Sequence, residues 1–173
     1  MRHLIGLLFL CSPLLHAAEI AGSPALPPFS NSKPAEWFNS APLSREDLHG
    51  QVLLIDFWTF DCWNCYRSFP WLNALEKRFA GEDFQVIGIH SPEFSHEKNP
   101  RKVAAKIREF KLAHPVMMDN DFTFWRAMRN RYWPAFYLID KQGRQRFVHV
   151  GETHTGDRRA QLIETQIKQL LAE

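Results

Sequence analysis

Apolar residues fall along this chain at two spacings, and the switch between them predicts its elements. Val52–Trp58 is a nearly continuous apolar run bounded by Gly50 and a cysteine-bearing segment, which suits a strand covered on both faces. Phe84–His90 has the same character. Between them, Trp63, Tyr66, Phe69, Leu72, Leu75 and Phe79 recur close to helical spacing, Gly81 closes the pattern, and Pro70 is expected to kink the helix. Val103, Ile107, Phe110 and Leu112 predict an amphipathic helix opened by Asn99-Pro100, with proline suited to a first helical position. A short strand at Pro115–Met118 and a helix over about Asp121–Asn130 follow. Ala135–Ile139 and Arg146–Val150 flank Lys141-Gln142-Gly143 as a hairpin, and a last helix spans Asp157–Leu171. Upstream, Trp37-Phe38-Asn39 and Leu43 predict a short strand pair, and Ser44–Leu48 a helical turn ending at Gly50. The order predicts an α/β fold, one central mixed sheet with helices on both faces.

Composition narrows this to a single globular domain: 173 residues, 45% hydrophobic and 23% charged, are enough for one sizeable core. With 21 basic against 19 acidic residues, both scattered, nucleic acid is not an implied partner. The basic cluster Lys141, Arg144 and Arg146 reads as solvated loop charge. At the start, Arg2 precedes an apolar run from Leu4 to Leu15 and small Ala17 and Ala18, the pattern of a secretory signal peptide over residues 1–18. Pro13 interrupts that run, which is shorter than the ~20 residues a bilayer span takes. An uncleaved anchor is the alternative, and lipid attachment at Cys11 is disfavoured by Leu10 before it. Residues 19–36, rich in Pro, Ser, Ala and Gly, predict a flexible linker, leaving 37–173 as the domain, in the periplasm or otherwise outside the cytoplasm.

Cleavage removes Cys11 and leaves Cys62 and Cys65 as the only cysteines. A disulfide spanning two intervening residues restrains little of the chain, so the pair is better explained by chemistry than by stapling. It lies just after a buried strand and at a helix start, where free N–H groups and the dipole favour a thiolate. Cys62 is therefore the expected attacking thiol, and Cys65, one turn on, the resolving one. The competing reading is a copper or zinc chaperone using the same thiols, but no second ligand pair has zinc-site spacing. His90, His149 and His154 sit at or near strand ends and are expected to be hydrogen-bonded surface residues.

Several motifs occur together in order: Val52-Leu53-Leu54-Ile55-Asp56-Phe57-Trp58, then Cys62-Trp63-Asn64-Cys65, Pro70, and Trp133-Pro134-Ala135 running into Asp140-Lys141-Gln142-Gly143. Over about residues 37–172 the chain resembles the thioredoxin superfamily, in its TlpA/ResA-type extracytoplasmic branch, and is similar to the thioredoxin-like domain of DipZ. The resemblance implies a thioredoxin-like fold with the TlpA-type insertion at about Ser91–Met118. It implies a thiol–disulfide oxidoreductase without a cofactor, acting on protein disulfides or dithiols and served by a membrane electron donor of the DsbD or CcdA kind. Pro134 would be the cis-proline facing the disulfide, holding substrate together with Trp63 and Trp133. Asp56 would be the buried acid beneath the active site. Many members of the branch have glutamate three residues after the second cysteine; here Ser68 stands there, so the proton carrier falls to Asp56.

Overall fold

The computed structural model describes residues 23–173, so the expected signal peptide lies outside the described residues. Six strands form one sheet: β1 (Trp37–Phe38), β2 (Val52–Trp58), β3 (Phe84–His90), β4 (Val116–Met118), β5 (Ala135–Ile139) and β6 (Gln145–Val150). They lie in the order β1-β4-β3-β2-β5-β6. β2 pairs parallel with β3 and β3 with β4, whereas β1, β5 and β6 run antiparallel to their neighbours. Four helices accompany the sheet: α1 (Trp63–Arg78), α2 (Pro100–Glu109), α3 (Thr123–Ala127) and α4 (Arg158–Leu171).

Every residue of β2 is buried because the strand is central and both its faces are covered. Val52, Leu54 and Trp58 join one apolar cluster with Phe69, Leu72 and Leu75 of α1, Val103 and Ile107 of α2, and Ile163 and Ile167 of α4. Leu53, Ile55 and Phe57 point the other way, into a cluster with Phe124 of α3, Leu26, Trp37 and Leu48. That alternation is the period-two geometry of a strand and puts Asp56 on the α1 face.

Three expectations change. Residues 26–29, expected in a linker over 19–36, pack on the domain: Leu26 N–H donates to Gly143 O at 2.8 Å, and Phe29 stacks on Phe124 at 5.2 Å. The short α3 leaves part of its face of the sheet uncovered, and Leu26, Phe29 and Trp37 fill it. Second, Trp37–Phe38 pairs with β4 and not with the segment around Leu43. Third, α3 is five residues long, because buried Asp119, not Asp121, accepts from Phe124 N–H and Trp125 N–H while Phe122 takes a left-handed conformation before it.

The cluster at the β5–β6 turn is also structural. Arg144 Nε and Arg146 Nη1 pair with the buried Asp140 carboxylate at 2.8 and 3.2 Å. Burial alone would raise Asp140, but its hydrogen bonds with Arg144 and Arg146 hold it below the usual carboxylate range.

Candidate active site

Cys62 is the N-cap of α1 and forms a disulfide with Cys65. Its carbonyl receives Tyr66 N–H at 3.2 Å, and its Sγ lies 3.1 Å from Cys65 N. The Cys65 N–H at the start of a long helix thus points at this sulfur, where negative charge is favoured when the bond is reduced. Cys62 is half-buried and Cys65 is 0% exposed, so an incoming sulfur can reach only the first. Trp63 between them is 67% exposed and offers a flat apolar surface next to that sulfur.

Asp56 belongs to the sheet face that packs under α1, the face into which Cys65 projects. It is 1% exposed, and neither carboxyl oxygen has a hydrogen-bond partner among the described residues. Burial, and then the Glu76 carboxylate, push Asp56 up to about 8. Glu76 is itself 3.0 Å from Nδ1 of buried His114. Gly88 sits across from Asp56 in β3. A side chain there would come within 3.0 Å of Val116 Cγ2, 3.1 Å of Trp58 Nε1 and 3.2 Å of His114 Nε2, so glycine is what lets these groups approach β3 so closely.

Ser68 has a structural task. Its hydroxyl donates to Asn64 O at 2.9 Å and accepts Thr153 N–H at 3.0 Å, tying α1 to the loop before α4. Both residues are buried. Ser68→Ala strands the Thr153 N–H, and chemical denaturation is expected to show a loss of about 1–3 kcal/mol. Exchange rates should change little, since the hydroxyl touches neither sulfur.

The Trp133–Pro134 bond is cis, and Pro134 O accepts Gly151 N–H at 2.9 Å. Trp133 packs against the cluster that includes Cys65, with its ring 4.4 Å from Trp125. Trp58, by contrast, is wholly core, edge-on to Phe69 at 5.5 Å and to His90 at 4.9 Å.

His90 is not a surface residue: it is 0% exposed, stacks with Phe60 at 5.7 Å, and burial depresses its ring to about 3, so it is neutral. The expectation failed because β3 ends under the segment before Cys62 instead of in solvent. Glu97, which nothing in the sequence pattern marks, is also fully buried there. Its Oε1 accepts from Thr59 Oγ1 at 2.7 Å and Asp61 N–H at 3.0 Å, and its Oε2 accepts from Phe94 N–H at 2.7 Å. Beside it, His96 Nε2 and Asp61 Oδ2 are 2.5 Å apart at the surface. Among the described residues no three or more His, Cys, Asp or Glu side chains gather to hold a metal ion.

Residues 26–148 match the model of the AhpC/TSA family. The chain is 38% identical over 138 residues to Protein DipZ of Mycobacterium tuberculosis, a match covering 78% of this chain and 19% of that protein. It therefore spans about a fifth of DipZ. Over 138 residues it is 28% identical to the thiol-disulfide oxidoreductase YkuV of Bacillus subtilis, covering 79% of this chain and 88% of that one. The crystal structure of a thiol-disulfide isomerase from Corynebacterium glutamicum superposes with a TM-score of 0.70 at 27% identity, covering 87% of this chain and 97% of the other.

Proposed function

This chain belongs to the AhpC/TSA family and has its thioredoxin-like fold, and we propose that it is a thiol–disulfide oxidoreductase working as a protein-disulfide reductase outside the cytoplasm. The observation that carries the reading is the half-exposed Cys62 at the N-terminus of α1, bonded to a buried Cys65 that lies on the same sheet face as Asp56. In the reducing direction, Cys62 thiolate attacks one sulfur of a substrate disulfide, forming a mixed disulfide and expelling a substrate thiolate. Cys65 loses its proton to the ionised form of Asp56, which is in exchange with the protonated one near neutrality, and attacks the Cys62 sulfur. The internal disulfide forms and the second substrate sulfur leaves, so two electrons have passed to the substrate and two protons complete its thiols. Exchange with an external dithiol returns the pair to the reduced state. A membrane electron donor of the DsbD or CcdA kind fits that role.

Direction follows from the local charges. No cation stands in Trp63-Asn64, and buried Asp56 is on the sheet face under α1, which supports a Cys62 thiolate favoured by the helix end alone. A couple whose reduced form is only moderately stabilised is a reductant. Trp63, Trp133 and Pro134 are assigned to holding an extended substrate segment. Export rests on the leader pattern, and among the described residues no helix is long and apolar enough to cross a membrane.

The test is the dithiol reduction potential, set beside turnover on a protein disulfide. A potential below about −200 mV with steady reduction of the substrate is expected, and a value near the −120 mV of strong oxidants overturns the direction. Stoichiometric metal bound under reducing conditions without turnover would favour a chaperone instead.

A further inference from the structure

The segment inserted between β3 and β4 reaches back to the active site through one side chain. Glu97 lies in a single 3-10 turn (Ser95–Lys98), yet its carboxylate is 0% exposed. It accepts three hydrogen bonds and donates none, the pattern of an ionised carboxylate. Two of them come from Thr59 Oγ1 and Asp61 N–H, on the loop that leads from β2 into Cys62. Phe60 of that loop is held in turn, 5.7 Å from His90 and 5.8 Å from His96. The loop entering the nucleophile is thus pinned from the insertion side by a buried negative charge.

We propose that Glu97 is a positioning residue that fixes the Thr59–Asp61 loop and keeps a negative charge beside the start of α1, biasing the Cys62–Cys65 couple toward reduction of its substrates. The proposal rests on the reading of Cys62 as the attacking thiol. A charge reaching Asp61 N–H is one residue from Cys62, and through the partly dry ground around it acts with far less screening than a surface acid. Tyr66, in the first turn of α1, has its hydroxyl raised to about 12, first by burial, then by Asp61 and Glu109, and least by Glu97.

Other charged and titratable groups stand near the start of α1: from α2, Lys106 lies over the Tyr66 ring at 5.7 Å and is itself paired with Glu109 at 3.0 Å. Asp61 is paired with His96 on the loop and the 3-10 turn, and neutral His90 ends β3. Asp56 lies on β2, and Arg67 of α1 is paired with Glu152 at 3.0 Å. The Arg67–Glu152 pair is partly solvated and His90 carries no charge, so neither offsets Glu97. Opposed by this carboxylate, the Cys62 thiolate is less stable than the helix end alone would make it. The reduced form is then a poorer leaving group and a stronger donor.

The test compares the wild type with Glu97→Gln and Glu97→Asp. Glu97→Gln keeps an oxygen for Thr59 and Asp61 and removes the charge, whereas Glu97→Asp keeps the charge on a shorter stem. Two quantities are read: the Cys62 titration, from thiolate absorbance, and the equilibrium constant of the dithiol pair with glutathione. Glu97→Gln is expected to lower the Cys62 pKa by about one unit and move the equilibrium constant about tenfold toward the reduced protein. Glu97→Asp should leave both within about twofold of wild type even where its thermal stability falls. Unchanged values in Glu97→Gln, a shift of opposite sign, or an equal shift in both variants overturns the proposal. The difference between variant and wild type judges Glu97, whereas the wild-type potential itself judges the reductase reading, so the two fail separately.

Discussion

Replacing Cys62 by serine is expected to abolish disulfide exchange, while Cys65→Ser still attacks once and accumulates as a mixed disulfide with its substrate. The two sulfurs differ in what the fold gives them. Cys62 caps α1, so the helix end stabilises its anion, and it is the sulfur with exposed surface. Cys65 is 0% exposed, packed with Phe69 and Leu72, and can meet only a sulfur already bonded to Cys62. Serine at 62 removes the nucleophile, and buried Cys65 cannot replace it; the expected loss is the full catalysed rate. Serine at 65 leaves the first step intact and deletes the second, so turnover stops after one equivalent. Mass analysis of the quenched reaction shows the trapped adduct directly. Brief alkylation of the reduced wild type at mildly acidic pH should label Cys62 alone, and modification of Cys65 first would reverse the roles.

The parts of this molecule legible in the sequence are those whose physics is local. β2 and β3 appear with the bounds read from their apolar runs, since a strand buried on both faces shows itself in composition. α1 and α4 follow from spacing that any core-facing helix must have. What could not be read depends on contacts distant in sequence. Trp37–Phe38 looks like half of a local hairpin, but its partner is Val116–Met118, beyond α2. The helix expected from about Asp121 begins at Thr123, because Asp119, placed by the tertiary fold, takes the N–H groups of Phe124 and Trp125. Leu26 and Phe29 look like linker residues because proline and serine surround them, yet a short α3 leaves a face for them to cover.

The same division runs through the site. Cys62 and Cys65 announce themselves by spacing, and Asp56 stands out as an acid in an apolar strand. Glu97 lies in the stretch Phe94-Ser95-His96-Glu97-Lys98, inside the expected insertion, where no periodicity tells a buried acid from an exposed one. Its burial comes from the fold of that stretch against the Cys62 loop, 36 residues away from Asp61. A capping relation to Phe94 N–H is the one local trace of its structural task.

Asp56 carries a carboxyl that is buried, has no hydrogen-bond partner among the described residues, and is pushed up to about 8 from its ordinary 3.8. Burial is the larger cause and Glu76 the second, so the protonated form is the one the folded protein favours across most of the working range. Between about pH 4 and pH 8 the folded state holds a proton here that the unfolded chain has released. Stability contributed by that proton is complete below the unfolded value and declines by about 1.4 kcal/mol for each pH unit through this window. Asp56→Asn cannot titrate, so its stability should lack that slope, with little difference from wild type near pH 4 and a gain that grows toward pH 8. The rate should move the opposite way. The ionised fraction of an acid poised this close to neutrality can take the proton of Cys65 as that sulfur attacks, and an amide of the same size cannot. Removing this acid–base partner is expected to slow the resolving step roughly tenfold or more near pH 7, with convergence at high pH where hydroxide deprotonates Cys65. Stopped-flow rates and denaturation curves of both proteins from pH 5 to 9 read the two effects together. Equal rates with parallel pH–stability curves would reduce Asp56 to a packing residue, and a stability gain without a rate loss would separate its charge from the chemistry.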